Sequence, residues 1–386
     1  MESLTIEKLD DFLSKRKCTL LGVGPMSKNC IDASIEISNE HNIPLMLIAS
    51  RRQIDSNESG GGYVNNWTTE KFSEYVKIRD KNKNIILCRD HGGPWQNDRD
   101  KKQKLSLKSA MNSAKKSFKA DIDNNFKIIH IDPSEDPRKK ISNDEKINRI
   151  YELYEFCITY ARKRKKEIFI EVNFGKEDGG IDSPKTLTKN LEKIKVFCKE
   201  KNFPFPTFVV IRNGNHVLET QNVGKFEQIF QKKQIIKQVK ILDCIKTCKK
   251  FNVMSKIHNA DYLTNNTIKI HKKIGVHGIN LAPEFGVLET TTFLNILDEN
   301  KLNKFKKQFI SLSYSSKKWK KWMIRNSNAT KLDKAIIAGH YIFSTPEFKK
   351  IKKNSAKIIG TDIDKILKDE IKKSIYRYFE LVHNHA

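Results

Sequence analysis

The sequence predicts an α/β fold, a (β/α)8 TIM barrel with a C-terminal helical extension. Eight short β-rich runs alternate with eight longer helical periods, over about 290 residues, the span of such a barrel. The runs are almost continuously apolar rather than alternating, the pattern of strands covered on both faces of a parallel sheet. No Gly-x-Gly-x-x-Gly turn follows any of them, so an open doubly wound sheet lacks its usual fingerprint.

Strands are expected at 18–24 "CTLLGVG", 44–50 "PLMLIAS", 84–89 "NIILCR", 126–132 "FKIIHID", 167–173 "EIFIEVN", 207–212 "TFVVIR", 252–257 "NVMSKI" and 277–281 "HGINL". Helical periods lie at 28–41, 69–80, 103–121, 143–165, 186–201, 225–248, 261–273 and 284–299. Thr68 or Thr69 can cap the second of these, and Ser142 stands three residues before Glu145, a capping box for the fourth. Residues 300–386 are helical and basic with no strand alternation. The chain therefore divides into a barrel, 1–299, and a helical extension packed on it, 300–386.

Hydrophobic residues make up 38% of the 386, enough for a sizeable core. The longest apolar runs, "NIPLMLIAS" and "FPTFVVI", fall well short of the roughly 18–20 residues of a membrane span. The N-terminal "MESLTIEKLDDF" is acidic and polar, unlike a secretory signal. Seven scattered cysteines indicate reduced thiols and a cytoplasmic protein. The net charge of +27 would suit nucleic acid, but the lysines are spread over almost every helix instead of forming one stripe. Neither a nucleic-acid nor a membrane partner is expected. "KKWKKWM", Lys317 to Met323, reads as an amphipathic turn whose two tryptophans pack.

In a (β/α)8 barrel the chemistry gathers at the C-terminal ends of the strands. Strand 2 ends in Arg51 and Arg52 before a glycine-rich loop holding Gly60 and Gly61, and strand 3 delivers Asp90 and His91. Strand 4 delivers Asp132, strand 5 Glu171 and Asn173, and strand 6 Arg212 with His216 shortly after. Strand 7 delivers His258 and strand 8 Asn280. Three imidazoles converging on one mouth, His91, His216 and His258, with an acid beside the first, form the ligand set of an open catalytic zinc site. His130, inside strand 4, reads as a core histidine, and His277 lies at the barrel's other end.

These residues resemble the class II, zinc-dependent ketose-bisphosphate aldolase superfamily. The likeness rests on "RDHGGP" at strand 3, "IEVNFGKEDGG" at strand 5 and the opening "LLGVGPMSKNCIDASIEISNEHNIPLMLIAS". Within it, the "GGGY" loop, "DHGGPW", "FKIIHIDPS", "HNADYLT" and "LAPEFGVLE" are most similar to the non-catalytic subunit family of D-tagatose-1,6-bisphosphate aldolase. The resemblance spans about residues 18–295. It implies Zn2+ held by His91, His216 and His258, with Asp90 moving the proton at the cleaved carbinol and Glu171 as a second catalytic acid. Zinc would polarise a ketose carbonyl, giving aldol, retro-aldol or epimerisation chemistry through an enediolate.

The implied protein is an aldehyde-lyase acting on a sugar or sugar phosphate, or a subunit of one that supports a catalytic class II aldolase, and it forms an oligomer. The pattern departs at strands 7 and 8. Asn259-Ala260-Asp261 replaces a small glycine-rich run that cradles a phosphate, and Asn280-Leu281-Ala282-Pro283 loses a hydroxyl and an N–H donor. A phosphate would need other donors, with Arg51, Arg52 and the 59–62 loop as candidates, and Asp132, Asn173, Arg212 and Asn280 remain as substrate contacts.

Overall fold

The computed structural model describes residues 9, 11–13, 15, 18–176 and 178–383. Most of the polar N-terminal stretch, Glu177 of the strand-5 signature and His385 lie outside them.

All eight expected strands form and close into one parallel barrel. They are β1 (Leu20–Val23), β2 (Leu45–Ser50), β3 (Ile85–Gly92), β4 (Ile128–Ile131), β5 (Phe169–Val172), β6 (Phe208–Val210), β7 (Met254–Ile257) and β8 (Gly278–Leu281). Each pairs with its neighbours in sequence, and β8 pairs with β1, Gly22 lying opposite Asn280. The helices begin close to the expected places because their caps are present. Ser142 and Glu145 form the capping box of Asn143–Lys163, and Thr68 caps Thr69–Arg79. The helix expected at 225–248 is instead two, Phe226–Gln231 and Ile235–Lys250, with Lys233 between them in the left-handed region (φ 47°).

Side chains alternate across a strand, so each strand feeds two cores. Leu21, Leu47, Leu87, Ile129, Ile170, Val209, Ile257 and Ile279 face outward into the layer under the helices. Leu20, Met46, Ile48, Ile86, Cys88, Ile128, Phe169, Phe208 and Met254 fill the lower barrel interior. One step higher the inward positions turn polar: Asp90, His130, Glu171, Lys256 and Asn280, then Asp132 and His258, all buried. The apolar floor and polar upper layer concentrate the ionisable groups at one end.

The extension is mostly helical, with an irregular stretch at 323–330. Its helices Asn303–Ser315 and Pro346–Ile359 pack around Phe293, Phe309, Phe348, Ile351 and Leu367. The last helix, Ile363–His383, returns to the barrel wall. It packs against Lys28–His41 and Asn265–Lys273, with Ile371, Ile375, Tyr378 and Val382 in the main core. Among the described residues, no helix is long and apolar enough to cross a membrane.

Candidate metal centre at the barrel mouth

Strand alternation alone would send Asp90 and His91 to opposite faces. The β3–β4 register prevents this: Arg89 pairs with Ile129 and Gly92 with Ile131, leaving one extra residue on β3. This bulge turns the backbone at His91 into the left-handed region (φ 45°) and sends both side chains to the mouth. The following glycines are required by close approach. A Cβ on Gly93 would lie 2.0 Å from the Asp132 carbonyl oxygen, and one on Gly92 2.3 Å from Phe118.

Three imidazoles meet above the bulge. The rings of His91, His130 and His258 have centroids 5.2 to 5.5 Å apart, with His258 nearly perpendicular to the other two. One ligand atom from each lies within 4.8 Å of the others, so this group could hold a metal ion. Small ring rotations close such a span to the roughly 3–4 Å expected of nitrogens on one ion. Two rings are gripped at one nitrogen by a carboxylate: His91 Nδ1 lies 2.8 Å from Asp132 Oδ2 and His258 Nε2 3.1 Å from Glu171 Oε1. Such carboxylate–imidazole pairs orient metal-binding histidines and raise their basicity. Asp132 is itself fixed by Gln96 Nε2, which donates at 2.8 Å. His130 Nδ1 accepts the His91 backbone N–H at 3.1 Å, and its Nε2 is buried without a hydrogen-bond partner among the described residues. The donor set fits a divalent ion.

Asp90 stands among the three rings. Its Oδ2 is 3.6 Å from His91 Nε2, and its Oδ1 is 3.5 Å from His130 Nδ1 and 3.9 Å from His258 Nε2. Asn280 Nδ2 donates to Oδ1 at 3.2 Å. Burial alone would raise this carboxyl, but the imidazoles of His91, His258 and His130 together outweigh burial and hold it well below the usual carboxylate range. Beneath lies Glu171, whose Oε2 accepts from Lys256 Nζ at 2.6 Å. Burial raises Glu171 too, and Lys256 with the imidazoles of His130 and His258 brings it down to about 2. Lys256 keeps its charge, since Glu171 more than offsets the cost of burying the ammonium.

A cavity of about 150 Å3 opens above these groups, lined by Asp90, His91, His258 and Asn280 from the barrel. Its cover comes from the extension. The 3-10 turn Lys318–Trp322 brings Lys321 and Trp322 to the cavity, and Tyr341 joins Tyr63 there. The turn is pinned by the short hairpin after β6, where Glu219 N–H donates to the Trp322 carbonyl at 2.7 Å.

No protein-family model matches the sequence, and no curated protein matches it. Solved structures do. A probable tagatose 6 phosphate kinase from Sinorhizobium meliloti superposes with a TM-score of 0.70 at 12% identity, over 94% of this chain and 100% of that one. The fructuronate-tagaturonate epimerase UxaE from Cohnella laeviribosi gives 0.56 at 8%, over 98% of this chain and 86% of that one. A fructose-bisphosphate aldolase from Campylobacter jejuni gives 0.54 at 13%, over 98% and 94%. What they share with this chain is the fold.

The residues expected from the sequence therefore separate. Asp90, His91, Asp132, Glu171, His258 and Asn280 come together. The third imidazole of the cluster is His130, and His216 is not part of it. His216 lies where the chain leaves the barrel for the hairpin Val217–Leu218 and Gln221–Asn222, its backbone N–H donating to Asn222 Oδ1. Arg51 is fully buried, its guanidinium held by Asp55, Asp100, Ser113 and the Gly93 carbonyl. Arg212 pairs with Asp182 at 2.8 Å, and Asn173 accepts the Gly175 N–H. Arg52 alone of the proposed anion contacts lines the cavity; Gly60 and Gly61 do not. Sequence reading missed Lys256 and the place of His130 in the imidazole cluster, although both share strand parity with a recognised residue, His258 and Asp132.

Proposed function

We propose that this chain is a metal-dependent enzyme of sugar or sugar-phosphate chemistry, an aldehyde-lyase or epimerase working beside a carbonyl. The observation that carries this is the convergence of Asp90 on His91, His130 and His258 at 3.5 to 3.9 Å. A divalent ion on these three histidines, Zn2+ by its preference for imidazole, would supply Lewis-acid polarisation of a substrate carbonyl oxygen. Asp90, kept ionised and aimed by Asn280, takes the proton from a carbinol in the cleavage direction and returns it in the reverse. Glu171, anchored by Lys256, fixes the His258 ring, and Asp132 fixes that of His91. The extension covers the mouth and limits water.

The aldolase and the epimerase that share the fold are named for sugar substrates, which supports the same chemistry here. The buried cysteines support a reducing, cytoplasmic setting.

The test is metal analysis of the purified chain, followed by assay on ketose phosphates and bisphosphates with released aldehyde as the readout. Zinc at one per chain and turnover abolished by Asp90→Ala are expected. A chain with no zinc affinity sinks the proposal. A chain inactive alone that stimulates a separate class II aldolase would instead favour the partner-subunit reading.

A further inference from the structure

Loops after strands 7 and 8 of a (β/α)8 barrel, together with a helix N-terminus, commonly receive the anionic group of a substrate. In this chain that place is filled from within. Asp261, 1% exposed, follows β7 and directs Oδ1 to the start of helix Pro283–Glu299. It accepts the backbone N–H of Ala282 at 2.9 Å and of Glu284 at 3.0 Å, the donors an incoming anion would use. The helix has no other side-chain cap. A second carboxylate backs the first: Glu284 Oε2 accepts from the Tyr262 N–H at 2.6 Å and from the Tyr378 hydroxyl at 2.5 Å. Burial and the nearby Glu284 push the Asp261 carboxyl up to about 7. An anion arriving there would meet two acids and find its donors taken.

Across the same cavity the charge is reversed. Arg52, after β2, and Lys318 both pair with Asp98, at 2.9 and 2.7 Å. Lys321 makes no ion pair among the described residues. Its ammonium lies 4.7 Å from the centre of the Trp322 ring and 5.2 Å from that of Tyr341. Two cations thus share one carboxylate, and Lys321 is the one left to meet a ligand. Arg52 and Lys318 add like charge beside it, a repulsion that a bound anion would relieve. Arg52, Lys321 and Asp261 all line the cavity over the imidazole cluster.

We infer that the substrate carries a single anionic group, a phosphate or a carboxylate, received by Lys321 and Arg52, and that Asp261 bars a second one at the strand-7 and strand-8 end. This rests on the proposed function and names its substrate class: a sugar charged at one end only. Lys321 is then a binding residue supplied by the extension, so the barrel alone lacks half of its substrate site.

The experiment is calorimetric titration of the full, zinc-supplemented chain with D-tagatose 6-phosphate, D-tagatose 1,6-bisphosphate, D-tagaturonate and inorganic phosphate. The bisphosphate is expected to bind no more than about threefold tighter than the better monoanionic sugar, since its second phosphate finds no donors. Lys321→Ala should weaken that sugar about tenfold and Lys321→Arg should largely restore it. Asp261→Ala should let the bisphosphate gain on the monophosphate; should this variant fail to fold, the wild-type ratio decides. Comparing the 6-phosphate with tagaturonate tells phosphate from carboxylate.

A bisphosphate preference above about tenfold in the wild type, unchanged affinity in Lys321→Ala, or no binding of any sugar probe overturns the inference. None of these readouts needs turnover. Binding as expected without zinc-dependent activity refutes the proposed function alone, while turnover with a strong bisphosphate preference refutes only this inference.

Discussion

Lys256 Nζ lies 2.6 Å from Glu171 Oε2 inside the barrel, both side chains 1% exposed. Removing one partner of such a pair leaves an uncompensated charge, at a cost of about 3–5 kcal/mol. Lys256→Met should therefore lower the urea midpoint sharply, and Lys256→Met with Glu171→Gln should recover most of the loss. The pair also predicts acid behaviour. Glu171 titrates near 2 in the folded chain, below its ordinary value. Its contribution is thus complete above the unfolded carboxylate pKa of about 4.3 and fades as pH falls towards 2. A double variant should lose less stability than the wild type over that acid range.

The imidazole cluster makes a prediction that separates two histidines. His130→Ala should lose zinc from the purified chain, and His216→Ala should keep it, both read by metal analysis after dialysis. Asp132→Asn keeps the shape but weakens the grip on His91, so zinc affinity should fall by about 10–100-fold. Zinc retained in His130→Ala and lost in His216→Ala would contradict the geometry.

Glu289 predicts an effect of opposite pH sign to that of Glu171. It is buried, and its Oε1 accepts from Asn29 Nδ2 at 2.8 Å. Burial raises its carboxyl to about 7. A raised carboxyl costs stability as pH climbs from its unfolded value to its folded one, and the cost stays constant above that. Glu289→Gln should match the wild type near pH 4 and exceed it by on the order of 3 kcal/mol near pH 8. Denaturant midpoints at the two values provide the check.

The final helix is predicted to be indispensable. Ile371, Ile375, Tyr378 and Val382 are fully buried in the barrel's main core. At about 1.5–3 kcal/mol for each such side chain, their removal approaches the whole stability of a typical domain, about 5–15 kcal/mol. A chain ending at 362 should fail to give a cooperative thermal transition. Ile375→Ala in the full chain should cost about 2–5 kcal/mol.

Much of the fold was legible because the runs that form strands are apolar on both faces and their polar residues fall at strand ends. The bulge at His91 was not, since an extra residue in one strand's pairing leaves no mark in that strand's own sequence. His130 sits in an apolar run that disguised it, although its two-residue spacing to Asp132 places both on one face. His216 lies outside the cluster because the chain turns into the hairpin there, a course that its spacing after the strand does not show. The contribution of Lys321 depends on contacts with residues more than 200 positions earlier, such as Lys318 with Asp98, and no local pattern announces those.

The seating of helix Ile363–His383 against Lys28–His41, joined by Lys368 Nζ donating to Glu36 Oε1 across 332 residues, also orders events during synthesis. Helix Lys28–His41 leaves the ribosome long before Ile363–His383 does, and its apolar stripe stays uncovered by that partner until the later helix has been made. Completion of the outer helical layer is thus a late, long-range event, and such contacts slow folding and prolong the exposure of sticky surface. Nascent chains stalled before residue 363 should be the ones that chaperones hold longest.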